Sequence, residues 1–330
     1  MDSREHRLQT RESELRDRRA RNDRLKSDVR SLEDVQRGRR ERVEEGGLKV
    51  IEEPGKRVIV RDGGRSFIRH DVVERFRLLG HDLRTDRRPD GTVVTVDRRP
   101  SGVEVVTEQT TDGRLLRRYR RDRGREIVLI DNRQFYAGHS GRGRRYNPSD
   151  FVVDIPEPRI DRSRHIVEYS RASEDEIYDA LVASPLEPLR RSYSLDQVKY
   201  TQHLRQYMKR IDLDEINFAF GSWELDQSAY QSLERIAHAM ERVISRRPNE
   251  IFLIEGHTDA VGSEEDNLTL SDRRAEAVAI ALTETFGLAP ENLTTQGYGE
   301  QYLKVNTEEP ERINRRVAIR RITPLLSQKE

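Results

Sequence analysis

The stretch that decides the fold runs from Ile251 to Ala275 and reads IFLIEGHTDAVGSEEDNLTLSDRRA. Its first residues, Ile251–Ile254, are all apolar and predict a strand in the middle of a sheet covered by helices. A polar loop follows, and Ser271 is then expected to be the N-cap of a helix. The polar side chains carried by the loop and by the first turn of this helix are His257, Asp259, Asn267 and Arg274. A strand–loop–helix turn of this kind predicts a ligand site.

The segments around this stretch predict a two-layer α/β sandwich. An apolar stripe at helical spacing follows Asp226, a candidate N-cap, and a second stripe follows Ser271. Three further strands are expected on either side of the central one. They are Ile216–Phe220, Leu293–Gly297 and Val317–Ile322. The resulting order is βαβαββ, with both helices packed on the sheet.

The region from 46 to 137 has a different pattern, with short runs rich in β-branched residues. Asp62-Gly63-Gly64 lies between two such runs and predicts a β-hairpin. Glycines then recur every eleven residues, each after a turn signal, and about four strands lie between them. These glycines are at positions 91, 102, 113 and 124. The pattern predicts an antiparallel meander.

The remaining segments carry weaker signals. Residues 1–45 are almost wholly charged, with a faint seven-residue repeat, and two interpretations stay open: a helical or coiled-coil arm, or a disordered one. Residues 138–211 combine a Gly-, Arg- and Pro-containing linker with short connector helices. The predicted fold class is therefore α+β. The predicted domains are 1–45, a charged arm; 46–137, a β-rich meander; 138–211, a linker with connector helices; and 212–326, the α/β sandwich.

Composition excludes several classes of protein. The chain of 330 residues has no cysteine, which excludes disulfides, thiolate metal sites and a lipid-modified cysteine. It contains no apolar run of 18 residues, and its N-terminal residues do not resemble an export signal. The 61 basic and 60 acidic residues nearly cancel, which argues against a nucleic-acid-binding protein. Binding of an anionic polymer, nucleic acid or lipid phosphate, by the Arg-rich N-terminal region remains the alternative function.

The chemistry of the loop suggests a zwitterionic ligand. The Asp259 carboxylate suits an ammonium group, and Arg274 suits a carboxylate, which a guanidinium binds with two hydrogen bonds. A helix N-terminus would add its positive dipole end to the charge of Arg274. Asn267 both donates and accepts hydrogen bonds. Spacing alone leaves a second interpretation equally open, in which Asp259 and Arg274 form a structural salt bridge.

Several short motifs follow one another in order along the last third of the chain. They are Gly256-His257-Thr258-Asp259, Gly262, Asn267, Leu270-Ser271, Arg274-Ala275, Gln296-Gly297-Tyr298-Gly299-Glu300 and Asn314-Arg315-Arg316-Val317. Together they resemble the OmpA-like C-terminal domain, a peptidoglycan-binding module of Gram-negative envelopes. The resemblance covers about residues 212–325, and the N-terminal region resembles no known module.

The resemblance implies non-covalent binding of the diaminopimelate in the peptidoglycan stem peptide. It implies that Asp259 and Arg274 clamp the amine and carboxylate of that residue, and that Asn267 and Arg315 line the same pocket. Thr258 belongs to the same motif and is included in the predicted site. The first strand–helix loop, Phe218–Ser222, departs from the family pattern, so only Ser222 is predicted to contact ligand there.

The resemblance also implies a protein of the periplasm or outer membrane that tethers the envelope, or an N-terminal partner, to the cell wall. The possible partner is an outer-membrane or envelope protein. No catalytic residue, metal or cofactor is predicted. The set His257, Asp259 and Ser271 has the residue types of a hydrolase, but Ser271 is better explained as a helix cap, and no nucleophile-elbow pattern surrounds a serine.

Overall fold

The computed structural model describes residues 29, 31–44, 47–79, 82–136, 146–159, 165–216, 218–219 and 221–327. Most of the predicted charged arm therefore lies outside the described residues. Within its C-terminal part, Ser31 and Asp34 form a capping box at the start of helix α1, Leu32–Gly38. Strand β1, Arg40–Val43, follows and pairs with the next strand.

The first sheet is an antiparallel set of four strands in the order β1-β2-β3-β4. The strands after β1 are β2, Lys49–Glu53; β3, Arg57–Asp62; and β4, Arg65–His70. Asp62 pairs with Arg65 across the turn, which confirms the hairpin predicted at Asp62-Gly63-Gly64. Helix α2, Glu74–Leu78, leads out of this sheet.

The second sheet is the predicted meander, with five strands rather than four. They are β5, Asp82–Arg87; β6, Val93–Arg98; β7, Glu104–Gln109; β8, Leu115–Asp122; and β9, Arg125–Asp131. The prediction missed β5 because its residues are polar and almost all exposed. The eleven-residue glycine period is explained by the turns, since all four glycines have φ between 80° and 88°, a region that other residues avoid.

The third sheet has the order β10-β11-β14-β12-β13. Its strands are β10, Ile166–Glu168; β11, Arg210–Leu213; β12, Phe252–His257; β13, Leu293–Gly297; and β14, Arg316–Arg321. Strand β12 lies between β14 and β13 and is buried throughout, as predicted. The first strand of this segment is β11 rather than the predicted Ile216–Phe220. Of that predicted strand, residues 216, 218 and 219 are described and are not in a strand, and residues 217 and 220 lie outside the described residues. Strand β11 was not predicted because charged residues alternate with its apolar ones. Asp212 is nevertheless buried there and accepts a hydrogen bond from Lys304 at 2.8 Å.

Helices cover one face of the third sheet. They are α7, Gln227–Ser232; α8, Glu234–Arg246; and α9, Glu264–Glu284, and together with the strands they confirm the βαβαββ order. The Asp226 side chain accepts a hydrogen bond from the backbone N–H of Ala229, so its predicted role as an N-cap is confirmed. Helix α4, Glu174–Val182, packs beside α8.

The other face of the third sheet is covered by the predicted connector region. Helices α5, Leu195–Tyr200, and α6, Gln202–Gln206, contribute apolar side chains that pack on Ile251 and Leu253. A short helix α3, Arg133–Tyr136, follows the meander. Among the described residues, no helix is both long and apolar enough to cross a membrane.

The first sheet and helix α2, which follows it, pack on the side of α9 that faces away from the third sheet. Arg57 Nε lies 2.9 Å from Asp272 Oδ2, and the same carboxylate contacts His70 Nδ1 at 3.1 Å. Arg75 binds both oxygens of Glu276, at 2.8 and 2.9 Å. These contacts join the second and fourth predicted domains, and the division of the chain into four domains stays a prediction.

Glu276→Gln is expected to lower the free energy of unfolding by about 3 kcal/mol, because it leaves the buried Arg75 guanidinium without its charge partner. Burial opposes ionisation of Glu276, but the charge of Arg75 and its hydrogen bonds outweigh this and lower the pKa to about 2. Since the folded-state pKa lies below the ordinary 4.5, the stabilisation is present above pH 4.5 and is lost as the pH falls toward 2.

The measurement is urea unfolding of both proteins between pH 7 and pH 3. The difference between wild type and variant is expected to narrow as the pH falls. Glu241→Gln, on the exposed side of α8, is the matched control and is expected to change stability by less than about 0.5 kcal/mol. Equal effects of the two substitutions would show that the pair with Arg75 contributes nothing.

Candidate functional site

Helix α9 begins earlier than predicted, and this changes the position of Arg274. Ser263, not Ser271, is the N-cap, and its side chain accepts a hydrogen bond from the backbone N–H of Asp266. Acidic residues fill the first turn, where they suit the positive end of the helix dipole. Arg274 therefore lies in the middle of a 21-residue helix. The prediction that a helix N-terminus reinforces the charge of Arg274 is wrong, and Ser263-x-x-Asp266 was the signal that marks the true start.

Ser271 instead joins the helix to the loop after β13. Its hydroxyl donates to the carbonyl of Leu268 and accepts from the N–H of Gly299, both at 2.8 Å. His257 stacks on Tyr298 with ring centroids 5.5 Å apart, and burial together with the charge of Arg316 lowers its pKa to about 3. Ser271 thus has a structural role, and His257 is a neutral, buried ring at neutral pH.

Asp259 pairs with Arg315 rather than with Arg274. Arg315 Nη1 lies 2.6 Å from Asp259 Oδ2. Asp259 is buried, whereas the side chain of Arg315 keeps 38% of its surface exposed. The proposed structural salt bridge between Asp259 and Arg274 is therefore replaced by a pair in which one partner reaches solvent.

Arg274 is buried and holds the loop that precedes α7. Its Nε donates to the carbonyl of Ser222 at 2.9 Å, and Nη2 donates to that of Ala219 at 3.4 Å. The guanidinium lies 4.9 Å from the ring centre of Phe218. Burial and the nearby charge of Arg315 lower the pKa of Arg274 to about 10, so it remains a cation at neutral pH.

The other predicted site residues lie in the adjoining loops. Asn267 Nδ2 donates to Glu300 Oε2 at 2.5 Å, which brings Glu300 to the edge of the site. Glu300 was part of the quoted motif but was not predicted as a site residue. Burial raises the pKa of Glu300, and the neighbouring acids Glu264, Glu308 and Asp259 act in the same direction. A raised pKa indicates a carboxylate that would gain from a cation.

Thr258 and Ser222 are placed differently from each other. Thr258 is buried, and its hydroxyl has no hydrogen-bond partner in the part of the chain that the structure describes. Its backbone N–H donates to the carbonyl of Gly299 at 3.0 Å. The Ser222 hydroxyl accepts from the N–H of Glu224, and its carbonyl is the one that Arg274 binds. Ser222 is thus linked to the charged centre through its backbone.

These contacts define the candidate site as one carboxylate and two guanidinium groups. Asp259, at the end of the central strand, is the acid, and Arg315 and Arg274 are the cations. The electrostatic coupling of Arg274 to both other groups indicates that the three charges lie close together. The arrangement carries both signs of charge, with a net excess of one positive charge.

Comparison with known proteins identifies this part of the chain. Residues 217–316 match the model of the OmpA family. The resemblance inferred from the motifs is confirmed, within the predicted range of about 212–325. The match covers the candidate site, strands β12 and β13 and helices α7 to α9, and it ends at the first residue of β14.

The chain is similar to curated envelope proteins over this OmpA-like segment. It is 34% identical over 110 residues to outer membrane porin F of Pseudomonas aeruginosa, which is 33% of this chain and 30% of that protein. It is 30% identical over 84 residues to a peptidoglycan-associated lipoprotein of Buchnera aphidicola, which is 26% of this chain and 46% of that protein. The chain thus spans less than half the length of either relative.

Solved structures match the same region. The peptidoglycan-associated lipoprotein from Burkholderia pseudomallei is 24% identical, with a TM-score of 0.27, covering 32% of this chain and 86% of that one. The periplasmic domain of Helicobacter pylori MotB is 21% identical, with a TM-score of 0.29, covering 34% of this chain and 70% of that one.

Arg315→Ala is expected to lower the free energy of unfolding by no more than about 1 kcal/mol, because the pair with Asp259 is part-exposed and Arg274 remains near the acid. Arg320→Ala is the comparison: Arg320 is buried and paired with Glu255 at 2.6 Å, so about 3 kcal/mol is expected. Chemical unfolding of both variants measures the difference. A loss for Arg315→Ala as large as that for Arg320→Ala would assign the Asp259 pair to the fold rather than to a ligand site.

Proposed function

We propose that the OmpA-like segment binds peptidoglycan non-covalently through the diaminopimelate of the stem peptide. The observation that carries the proposal is the part-exposed ion pair between Asp259 and Arg315 beside the buried cation Arg274. Diaminopimelate presents an ammonium and a carboxylate on one carbon, so it matches a site with both signs of charge.

Binding is proposed to occur by exchange of ion pairs. The ligand ammonium takes the place of Arg315 on Asp259, and the freed Arg315 turns to the ligand carboxylate together with Arg274. Arg315 has the exposure that such a movement needs, whereas Arg274 is fixed by two backbone carbonyls. Because Asp259 and Arg315 each keep an opposite charge as partner, the exchange avoids the cost of leaving the buried Asp259 carboxylate unpaired.

The neighbouring polar groups are proposed to complete the pocket. Asn267 can bind ligand through its carbonyl oxygen while its amide nitrogen holds Glu300. The hydroxyl of Thr258, which has no hydrogen-bond partner among the residues that the structure describes, is a further donor or acceptor. Ser222 is proposed to act through the loop that Arg274 fixes, where its hydroxyl lies beside the N–H of Glu224.

The biological role that follows is attachment to the cell wall without catalysis. The relatives' names place those proteins in the envelope, as an outer membrane porin and a peptidoglycan-associated lipoprotein. We infer that this chain acts at the periplasmic side of the envelope or at the outer membrane. Its N-terminal sheets would then carry the contact to an envelope partner.

The alternative, binding of an anionic polymer by the Arg-rich N-terminal region, is weaker. Several arginines of that region point toward the OmpA-like segment and are already paired with its acids. Arg57 binds Asp272, Arg75 binds Glu276, and Arg120 binds Glu291 at 2.7 Å. Arginines engaged in this way are not available to a row of phosphates.

Co-sedimentation of the full chain with purified sacculi tests the proposal. Wild type is expected in the pellet, and Asp259→Asn is expected to bind at least tenfold more weakly, since one charge-assisted contact of about 1.4 kcal/mol is lost. The double variant Asp259→Ala, Arg274→Ala is expected to stay in the supernatant. Arg312→Ala, an exposed arginine of the same loop as Arg315, is the matched control and is expected to pellet like wild type.

Competition separates the ligand from the polymer. Free diaminopimelate is expected to release the wild-type chain from sacculi, whereas cadaverine, which has two ammonium groups but no carboxylate, is expected to have little effect. Wild type that remains in the supernatant, or Asp259→Asn that pellets equally well, contradicts peptidoglycan binding at this site. Pelleting that diaminopimelate does not reduce contradicts only the assignment of the ligand group.

A further inference from the structure

A cavity lies between the first sheet, the turn that joins β7 to β8, and helix α5. Its volume is about 380 Å³, which lies within the range of small-molecule sites. Its walls include Arg69 of β4, Arg114 after the turn, and Lys199 and Tyr200 of α5. None of the residues that line it belongs to the proposed peptidoglycan site, so any ligand here is independent of that function.

Lys199 is a buried basic residue in the lining of this cavity. Its side chain lines the cavity although only 5% of the residue is exposed. Its backbone carbonyl is fixed by hydrogen bonds from Tyr298 and Arg205. Yet within the described part of the chain, its ammonium group forms no hydrogen bond and no ion pair. A buried, unpaired ammonium is costly, and proteins retain one where it meets an anion.

Arg69 provides a second cation in the lining of the same cavity. Its Nη1 donates to the carbonyl of Asp112 at 2.6 Å, and the guanidinium lies 5.1 Å from the ring centre of Tyr146. These contacts fix the guanidinium without giving it an acidic partner. Two cations from different elements therefore line one cavity.

Acidic residues compensate these cations only in part. Burial lowers the pKa of Lys199 to about 8, although the negative charges of Asp196 and Asp272 act against this, so the ammonium is still mainly protonated at pH 7. The three acids of the lining also have other partners: Asp196 accepts a hydrogen bond from the Tyr136 hydroxyl at 2.7 Å, Asp112 binds Arg114 Nε at 3.2 Å, and Asp71 binds Arg77. Four Lys and Arg residues line the cavity against these three acids.

We propose that this cavity binds a small molecule that carries a phosphate group, with Lys199 and Arg69 as the phosphate ligands. A phosphate monoester is favoured over a carboxylate because Lys and Arg residues outnumber the acids of the lining, and a dianion can bind two of these cations at once. The walls formed by Tyr146 and Tyr200 suit a compact organic group attached to the phosphate. Their hydroxyls are hydrogen-bonded to each other at 3.2 Å, which fixes this wall.

Thermal unfolding of the full chain during titration with inorganic phosphate, at constant ionic strength, tests this proposal. Phosphate is expected to raise the unfolding temperature of wild type in a saturable way. Lys199→Met is expected to unfold at the same temperature as wild type or higher without phosphate, because an unpaired buried charge is replaced by an apolar chain. It is expected to require at least tenfold more phosphate for the same shift. Lys49→Met, a surface lysine of β2, is the matched control and is expected to respond like wild type.

The two measurements exclude a purely structural role for Lys199. A structural lysine would give a Lys199→Met variant that unfolds at a lower temperature but keeps its response to phosphate. That result overturns the proposal, as does the absence of any saturable effect of phosphate on wild type. Acetate at the same ionic strength distinguishes the ligand class: a shift with acetate and none with phosphate would overturn the assignment to phosphate.

Discussion

The structure depends on helix α9, which is buried on two opposite sides. On one side it crosses strands β12 and β13 so closely that side chains would not fit. A Cβ atom at Gly256 would lie 1.8 Å from the carbonyl oxygen of Ser271, and one at Gly297 would lie 2.4 Å from the backbone nitrogen of Asp272. Both glycines belong to the family motifs. Their presence is explained by this close packing, which sets the height of the site loop above the sheet.

The opposite side of α9 is covered through buried charges as well as apolar contacts. Leu268 packs with Ile51, Ile59 and Ile68 of the first sheet, while Asp272 and Glu276 one and two turns later are paired with arginines. Such pairs are costly to desolvate, and their attraction offsets the cost only when the geometry is good. Removing either partner leaves a buried charge. Buried ion pairs therefore hold α9 against the arginines that cover it. They explain how a chain with 34% apolar residues covers so long a helix.

The sequence predicted those features that depend on local signals. The hairpin at Gly63-Gly64, the central strand and the helix cap at Asp226 each follow from neighbouring residues. Two predictions failed where local signals competed or were absent. Ser263 and Ser271 are both acceptable N-caps, and only the uninterrupted helix between them decides for Ser263. Strand β11 contains the buried charge of Asp212, which is paired with Arg210 of the same strand and with Lys304, 92 residues away in sequence.

The candidate site was likewise predicted only in part from the sequence. The residue types at Asp259, Arg274 and Arg315 were predicted by the motifs, but not which arginine binds the acid. Tertiary structure decides this pairing, because 56 residues separate Asp259 from Arg315 and the two meet only when β14 pairs with β12. The pairing found gives the two arginines different tasks. Arg274 is held by backbone carbonyls and supplies a fixed positive charge, whereas Arg315 keeps access to solvent. In the binding mode that we propose, Asp259 and Arg315 each exchange one opposite charge for another, so recognition of a zwitterion need not weaken the fold that presents it.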